Sequence, residues 1–361
     1  MHSRDFEKPD GRALTLYSRV PIDGDIVAPS PSAGPFQPET HLRWHPLRGE
    51  WVAYASHRQM RTFMPPGYNP LAPAVDPAHP TEVPAGNWDI AVFDNLFPAL
   101  VHDPPPPPEM SVPTAAGAGA CEVVVFSQDA SASLGTLPLD HVELLIDVWA
   151  DRYERLGSRS DVAYVFPFEN RGAEVGVTLP HPHGQIYAYP FIPPIAAREL
   201  AQQREYLERT GRGLLADLIQ EEVRAQTRLV YRGSSAVAFM PVCARYSYEL
   251  WVAPERPAES FAALTRIERR DFATALKTVV RTFDALWQRP FPYVLAFHQA
   301  PTDGVAHPEA HLHAEFYPAY RMPGRLKYLA GSELGAGVFT ADTLPEERVK
   351  ELQAIARDLD V

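Results

Sequence analysis

The sequence predicts an α+β fold made from two copies of one unit. Three observations carry that prediction. The segment His181-Pro182-His183-Gly184-Gln185-Ile186-Tyr187 returns as His311-Leu312-His313-Ala314-Glu315-Phe316-Tyr317, an offset of 311 − 181 = 130 residues. Each copy follows the same order of elements: strand, helix, strand. A period this long, occurring twice, describes a duplicated domain, whereas a solenoid needs at least about three short repeats.

The elements follow in chain order. Prolines, 38 in 361 residues, concentrate between Val27 and Pro113, and in the run 104–108 the missing N–H donors exclude both helix and central strand. That stretch is expected to wrap irregularly around short strands at 50–55 and 88–93. The first regular unit begins with a strand at 122–126 and a helix over 140–156, where Leu144, Leu145, Val148 and Trp149 make a core-facing stripe. A strand at 162–168 then leads through Glu169-Asn170-Arg171-Gly172 into the first His-x-His. A polar helix over 196–227, interrupted near Gly211 and Gly213, links the copies. The second unit repeats the order with a strand at 248–252, a helix over 267–287 striped by Phe272, Leu276, Val279, Val280 and Phe283, and a strand at 292–297. An exposed helix over 345–359 follows. The expected division is therefore 1–195, carrying the Pro-rich extension and His-Pro-His, and 196–361, carrying the second His-x-His.

Composition narrows the function. With 33 Lys plus Arg against 45 Asp plus Glu, the net charge of −12 opposes binding to a nucleic-acid backbone. No apolar run is long enough to span a membrane, and the first ten residues lack the apolar stretch of a secretory signal. A cytoplasmic protein with no nucleic-acid and no membrane partner is expected. Cys121 and Cys243 are too few for a disulfide framework and are expected as buried thiols.

Alternation on a strand puts both rings of a His-x-His on one face. In the first copy Pro182 stiffens the backbone between the rings, Gly176 and Gly184 allow close approach, and Gln185 faces the same side. An imidazole there can act as base, metal ligand or nucleophile. In the second copy His298, His311, His313 and Glu315 supply nitrogen and oxygen ligands, a set suited to a divalent metal.

The run Phe168-Glu169-Asn170-Arg171-Gly172 with His181-Pro182-His183-Gly184-Gln185 resembles the galactose-1-phosphate uridylyltransferases of the histidine triad superfamily. So do His45-Pro46-Leu47-Arg48-Gly49-Glu50-Trp51 with Ser56-His57-Arg58, then Phe93-Asp94-Asn95, and Leu312-His313-Ala314-Glu315-Phe316-Tyr317-Pro318. The resemblance covers nearly the whole chain. It implies a duplicated histidine-triad-like unit of antiparallel sheets with packed helices. It also implies a transferase of galactose metabolism, with UDP-glucose and galactose 1-phosphate as substrates and a homodimer as the assembly. His183 is then the nucleophile that becomes uridylylated, and Gln185 the donor to the phosphoryl oxygen. Arg58, Arg61, Asn95, Asn170, Gly176 and Thr178 match positions that hold nucleotide or phosphate. Lys327, Gly331 and Glu333 match a segment that contacts sugar and sugar phosphate, often across a dimer interface. Glu199, His298, His313 and Glu315 are the expected ligands of one divalent iron or zinc ion. A second zinc site, for which His181 is the remaining ligand, is expected to be lost. The chain lacks the family's Cys-x-x-Cys pair, and the corresponding region is read as His79-Pro80-Thr81-Glu82. Two alternatives stay open: another nucleotidyl transferase or phosphorylase, such as an adenylyl enzyme, and a non-catalytic metal- or nucleotide-binding module.

Overall fold

The computed structural model describes residues 1–32, 34, 38–60, 68–76 and 78–359. The chain opens with a hairpin, β1 (His2–Glu7) and β2 (Ala13–Ser18). The Pro-rich region contributes β3 (His41–His45), β4 (Glu50–Tyr54), β5 (Pro73–Ala74), β6 (Val83–Pro84), β7 (Ile90–Asp94) and β8 (Thr114–Ala116). The first unit continues with β9 (Ala120–Val125), α1 (Leu139–Gly157), β10 (Tyr164–Arg171) and β11 (His183–Tyr189). After α2 (Pro194–Thr210) and α3 (Leu214–Ala225) come β12 (Leu229–Arg232), β13 (Ala236–Phe239) and β14 (Leu250–Pro254). The second unit closes with α4 (Arg266–Leu286), β15 (Tyr293–His298) and β16 (His313–Pro318), and α5 (Pro345–Arg357) packs near the end.

Eleven strands form one antiparallel sheet in the order β1-β2-β7-β9-β11-β10-β15-β16-β14-β13-β12. The duplication is built into its register. Phe168 pairs with Gln185 in the first hairpin, Ala296 with Glu315 in the second, and Phe168 with Ala296 where the hairpins meet. Exchanging the hairpins therefore exchanges Phe168 with Ala296, Gln185 with Glu315 and His183 with His313. A local two-fold axis passes through the Phe168–Ala296 pair. Continuing the register by two places makes Asn170 the counterpart of His298.

Strand alternation then divides the faces. Ile186 and Ala188 of β11, with Ala314 and Phe316 of β16, enter the main core beneath α1 and α4. Trp149 of α1 meets Phe297 of β15 with ring centroids 4.6 Å apart, so the two units share one core. A capping box, Thr265 with Glu268, fixes the start of α4, and Gly211 at φ +70° ends α2. The linker expected as one interrupted helix is thus two. His183, Gln185, His313 and Glu315 all lie on the face opposite α1 and α4.

Three features depart from expectation. The β1–β2 hairpin was not legible because β1 is polar apart from Phe6 and lies at the sheet edge, where β2 carries most of the apolar residues. The strand expected at 88–93 spans Ile90–Asp94, and just before it the buried Trp88 indole N–H donates to the Pro84 carbonyl at 2.8 Å. Cys121 is buried as expected, but Cys243 is exposed in the turn before β14.

Candidate active site and metal centre

His183 opens β11 and is half-buried. Its Nδ1 lies 2.7 Å from the carbonyl oxygen of His181. A carbonyl only accepts, so Nδ1 carries the proton and, in the neutral ring, Nε2 carries the lone pair. The backbone can pack this closely because residue 184 is glycine: a Cβ there would sit 2.9 Å from the Phe168 carbonyl and from the Phe126 ring. Gln185 follows two residues on, so alternation places both side chains in the same cleft.

That cleft encloses about 270 Å³ and is walled by Leu71, Phe93, Phe97 and Val123, with Glu82, Asn95, Thr178, His183 and Gln185 among its polar members. Its volume is near the lower end of the roughly 300–1,000 Å³ typical of small-molecule sites. Asn95 Oδ1 accepts the Phe97 N–H at 2.8 Å, which turns the chain so that both residues line the cleft. Arg58, in a short turn at Ser56–Met60, donates to the Phe97 carbonyl at 2.7 Å and approaches the Tyr187 hydroxyl at 3.3 Å. It thereby braces the same wall. Arg61 lies outside the described residues. Gly176 takes φ +82°, and the chain then reaches Thr178 in the cleft wall. A larger cleft of about 600 Å³ also borders Asn95, but neither His183 nor Gln185 lines it.

Both nitrogens of His181 are engaged. Nε2 lies 2.7 Å from the Ser127 carbonyl, and Nδ1 lies 2.8 Å from the Asn69 side-chain nitrogen. In the 79–82 stretch His79 is exposed and bonds Asp76, while Glu82 is held by Lys8 and Arg12. Asn69 is the residue that the sequence reading missed; a polar side chain in a Pro-rich loop gave no signal.

Behind Asn170, Glu169 is buried and accepts the Tyr293 hydroxyl at 3.0 Å. Burial pushes its carboxyl up to about 7, against the opposing pull of Arg171 and Tyr293. The folded chain therefore keeps a proton that the unfolded chain releases near the ordinary value of 4.5. The stabilisation is full below the unfolded value and is lost as pH rises through about 7. Glu169→Gln should remove this dependence, amounting to about 3 kcal/mol across the window. Denaturant unfolding over a pH series checks it, and parallel profiles for the two proteins would contradict it.

On β15 and β16, His298 and His313 stack with centroids 4.9 Å apart, and Glu199 reaches them from α2. Ligand atoms of Glu199, His298 and His313 lie within 4.8 Å of one another, a cluster that could hold a metal ion. His298 Nδ1 lies 2.7 Å from a Glu199 carboxylate oxygen, while among the described residues its Nε2 and the Nδ1 of His311 are buried with no hydrogen-bond partner. Orphaned imidazole nitrogens around one point fit a cation. The space they border is about 10 Å³, walled also by His311, which suits a single ion and no organic cofactor. Burial opposes ionisation of Glu199, but His298 and His313 outweigh it and hold the carboxyl below its ordinary value. Burial pushes His311 down to about 4, so that ring stays neutral and able to ligate. Glu315 stands 3.8 Å from His298 and 3.7 Å from His313, with Arg245 and the Tyr317 hydroxyl already bonded to its Oε2.

Comparison with known proteins identifies the family. Residues 35–193 match the model for the N-terminal domain of galactose-1-phosphate uridyl transferase, and residues 199–356 that for its C-terminal domain. The chain belongs to the galactose-1-phosphate uridylyltransferase family. The galactose-1-phosphate uridylyltransferase of Thermotoga maritima is 34% identical over 318 residues, covering 86% of this chain and 97% of that protein. The Streptomyces lividans galactose-1-phosphate uridylyltransferase is 33% identical over 372 residues, with 96% of each chain covered. A solved uridylyltransferase structure superposes with a TM-score of 0.80 at 31% identity, covering 88% of this chain and 98% of that one.

For a member of the galactose-1-phosphate uridylyltransferase family, one group of candidate residues stands apart. Lys327 and Glu333 line a separate cleft of about 520 Å³ with Tyr320 and Asp342. Lys327 donates to the Thr340 carbonyl at 2.6 Å, and Glu333 accepts the backbone N–H groups of Ala330 and Thr340. Gly331 begins the turn that carries Glu333. Among the described residues, these three do not line the His183 cleft. No helix among the described residues is long and apolar enough to cross a membrane.

Proposed function

We propose that the chain exchanges a uridylyl group between UDP-glucose and galactose 1-phosphate through a covalent intermediate on His183. The observation that carries this reading is the His183 Nδ1–H bond to the His181 carbonyl at the edge of a nucleoside-sized cleft. It leaves the Nε2 lone pair as the nucleophile. The Nε2 lone pair attacks the α-phosphorus, and the bond to the glucose 1-phosphate oxygen breaks. That leaving group departs as a stable phosphate anion, so charge stabilisation matters more than general acid catalysis. A phosphate oxygen of galactose 1-phosphate then attacks the uridylyl-histidine, giving UDP-galactose and restoring the ring.

Leu71, Phe93, Phe97 and Val123 suit the two faces and edge of a pyrimidine, and Asn95 suits ribose hydroxyls. Gln185 donates its amide N–H to the phosphoryl oxygen where charge develops. Gln185→Ala should therefore slow both half-reactions about 10²–10³-fold with the fold intact. Turnover within a few-fold of the unaltered enzyme would take Gln185 out of the mechanism. Arg58, Arg61, Asn170, Gly176 and Thr178 complete the nucleotide and phosphate contacts. Lys327, Gly331 and Glu333 serve the sugar phosphate within a homodimer, since their own chain sets them apart from His183. Glu199, His298 and His313 hold one divalent iron or zinc ion, with His311 and Glu315 at its side. The ion supplies cohesion between α2 and the sheet.

Initial-rate kinetics test the reading. Parallel double-reciprocal lines are expected for UDP-glucose against galactose 1-phosphate. Faster modification by ADP-glucose than by UDP-glucose would favour the adenylyl alternative.

A further inference from the structure

We propose that Asn69 is a positioning residue for His183, acting through His181, and that it ties the wall of the nucleotide cleft to the nucleophile strand. The proposal rests on the reading of His183 as the nucleophile. Asn69 Oδ1 accepts the Leu71 backbone N–H at 3.0 Å, an Asx turn that settles which end of the amide is oxygen. Its Nδ2 therefore faces His181 Nδ1, 2.8 Å away, as a donor. His181 Nδ1 can only accept in that contact, so the ring proton sits on Nε2, which donates to the Ser127 carbonyl at 2.7 Å. His181 is 1% exposed, and burial favours its neutral form.

The consequence reaches the reacting atom in one step. With His181 held at both nitrogens, its carbonyl is fixed, and that carbonyl accepts the Nδ1–H of His183 at 2.7 Å. On the other side of the link, Tyr68, Pro70 and Leu71 flank Asn69 in sequence and line the cleft with His183. One amide thus connects the surface that would press on a bound nucleoside to the tautomer of the group that attacks it. The second unit shows the arrangement without this link. His311 donates its Nε2–H to the Pro254 carbonyl at 2.9 Å, as His181 does to Ser127, but His311 Nδ1 has no hydrogen-bond partner.

The test is rapid-quench labelling with base-labelled UDP-glucose, run on the unaltered enzyme, His183→Ala, Asn69→Ala and Asn69→Ser, with imidazole ¹⁵N spectra of each. Serine keeps an oxygen for the Leu71 N–H but is too short to reach His181, so it separates the link from the turn and covers the case in which the alanine variant fails to fold. Both Asn69 variants should label about 3- to 10-fold more slowly, the worth of one neutral hydrogen bond. The serine variant should keep its KM for UDP-glucose, and its His181 Nδ1 signal should shift as the bond from Asn69 is lost, while the Ser127 carbonyl keeps the proton on Nε2. Labelling of folded Asn69→Ser at the unaltered rate, or an unchanged His181 Nδ1 signal, would overturn the positioning role while His183 still took label. No label on the unaltered enzyme would instead remove the reading of His183 on which the proposal rests.

Discussion

His183→Ala should lose at least about 10⁴-fold in turnover while keeping its melting temperature within a few degrees. The two halves of that expectation come from different parts of the structure. The loss follows because no other imidazole in the cleft presents a lone pair: His181 is bonded at both nitrogens. Retained stability follows because His183 opens its strand, is half-buried, and makes its Nδ1 bond to a carbonyl only two residues back. Losing one such bond costs about 1 kcal/mol. Steady-state assay and thermal unfolding on the same sample check both halves. Turnover within tenfold of the unaltered enzyme would exclude His183 as nucleophile.

His313→Ala, at the two-fold counterpart of His183, should have the reverse profile. It removes one of three ligand atoms clustered within 4.8 Å, so metal content should fall from about one per chain toward zero. An ion held at a thousand times its dissociation constant contributes about 4 kcal/mol, so the melting temperature should drop by several degrees. The folded fraction should still accept uridylyl label, because the nucleophile belongs to the other hairpin. Elemental analysis and calorimetry read the first part, and labelling at permissive temperature reads the second. A metal-free variant of unchanged stability would remove the structural role, whereas normal stability with lost labelling would move the ion into catalysis.

The sequence made the duplication legible because each His-x-His lies on a strand whose alternate residues enter a shared core, leaving the histidines together on the opposite face. The helices α1 and α4 were legible for the same reason: their apolar stripes face the sheet, as Trp149 and Phe283 show. Contacts made by loops were not. Asn69 and Leu71 reach the site from a Pro-rich segment without periodicity, and only the fold brings them to His181 and His183. The strand β1 has no apolar alternation because it needs none at a sheet edge. Lys8 and Arg12, in the connection from β1 to β2, are buried through pairing with Glu82, an arrangement that depends on contacts about 70 residues away. Local composition carries no trace of such a pair.

The central claim is a covalent uridylyl group on His183, and mass spectrometry of the enzyme mixed with UDP-glucose alone tests it most directly. One uridylyl adduct per chain is expected, mapped to the peptide containing His183, with one equivalent of glucose 1-phosphate released and the adduct discharged on adding galactose 1-phosphate. An unmodified chain under conditions of full turnover, or an adduct on any other residue, would contradict it.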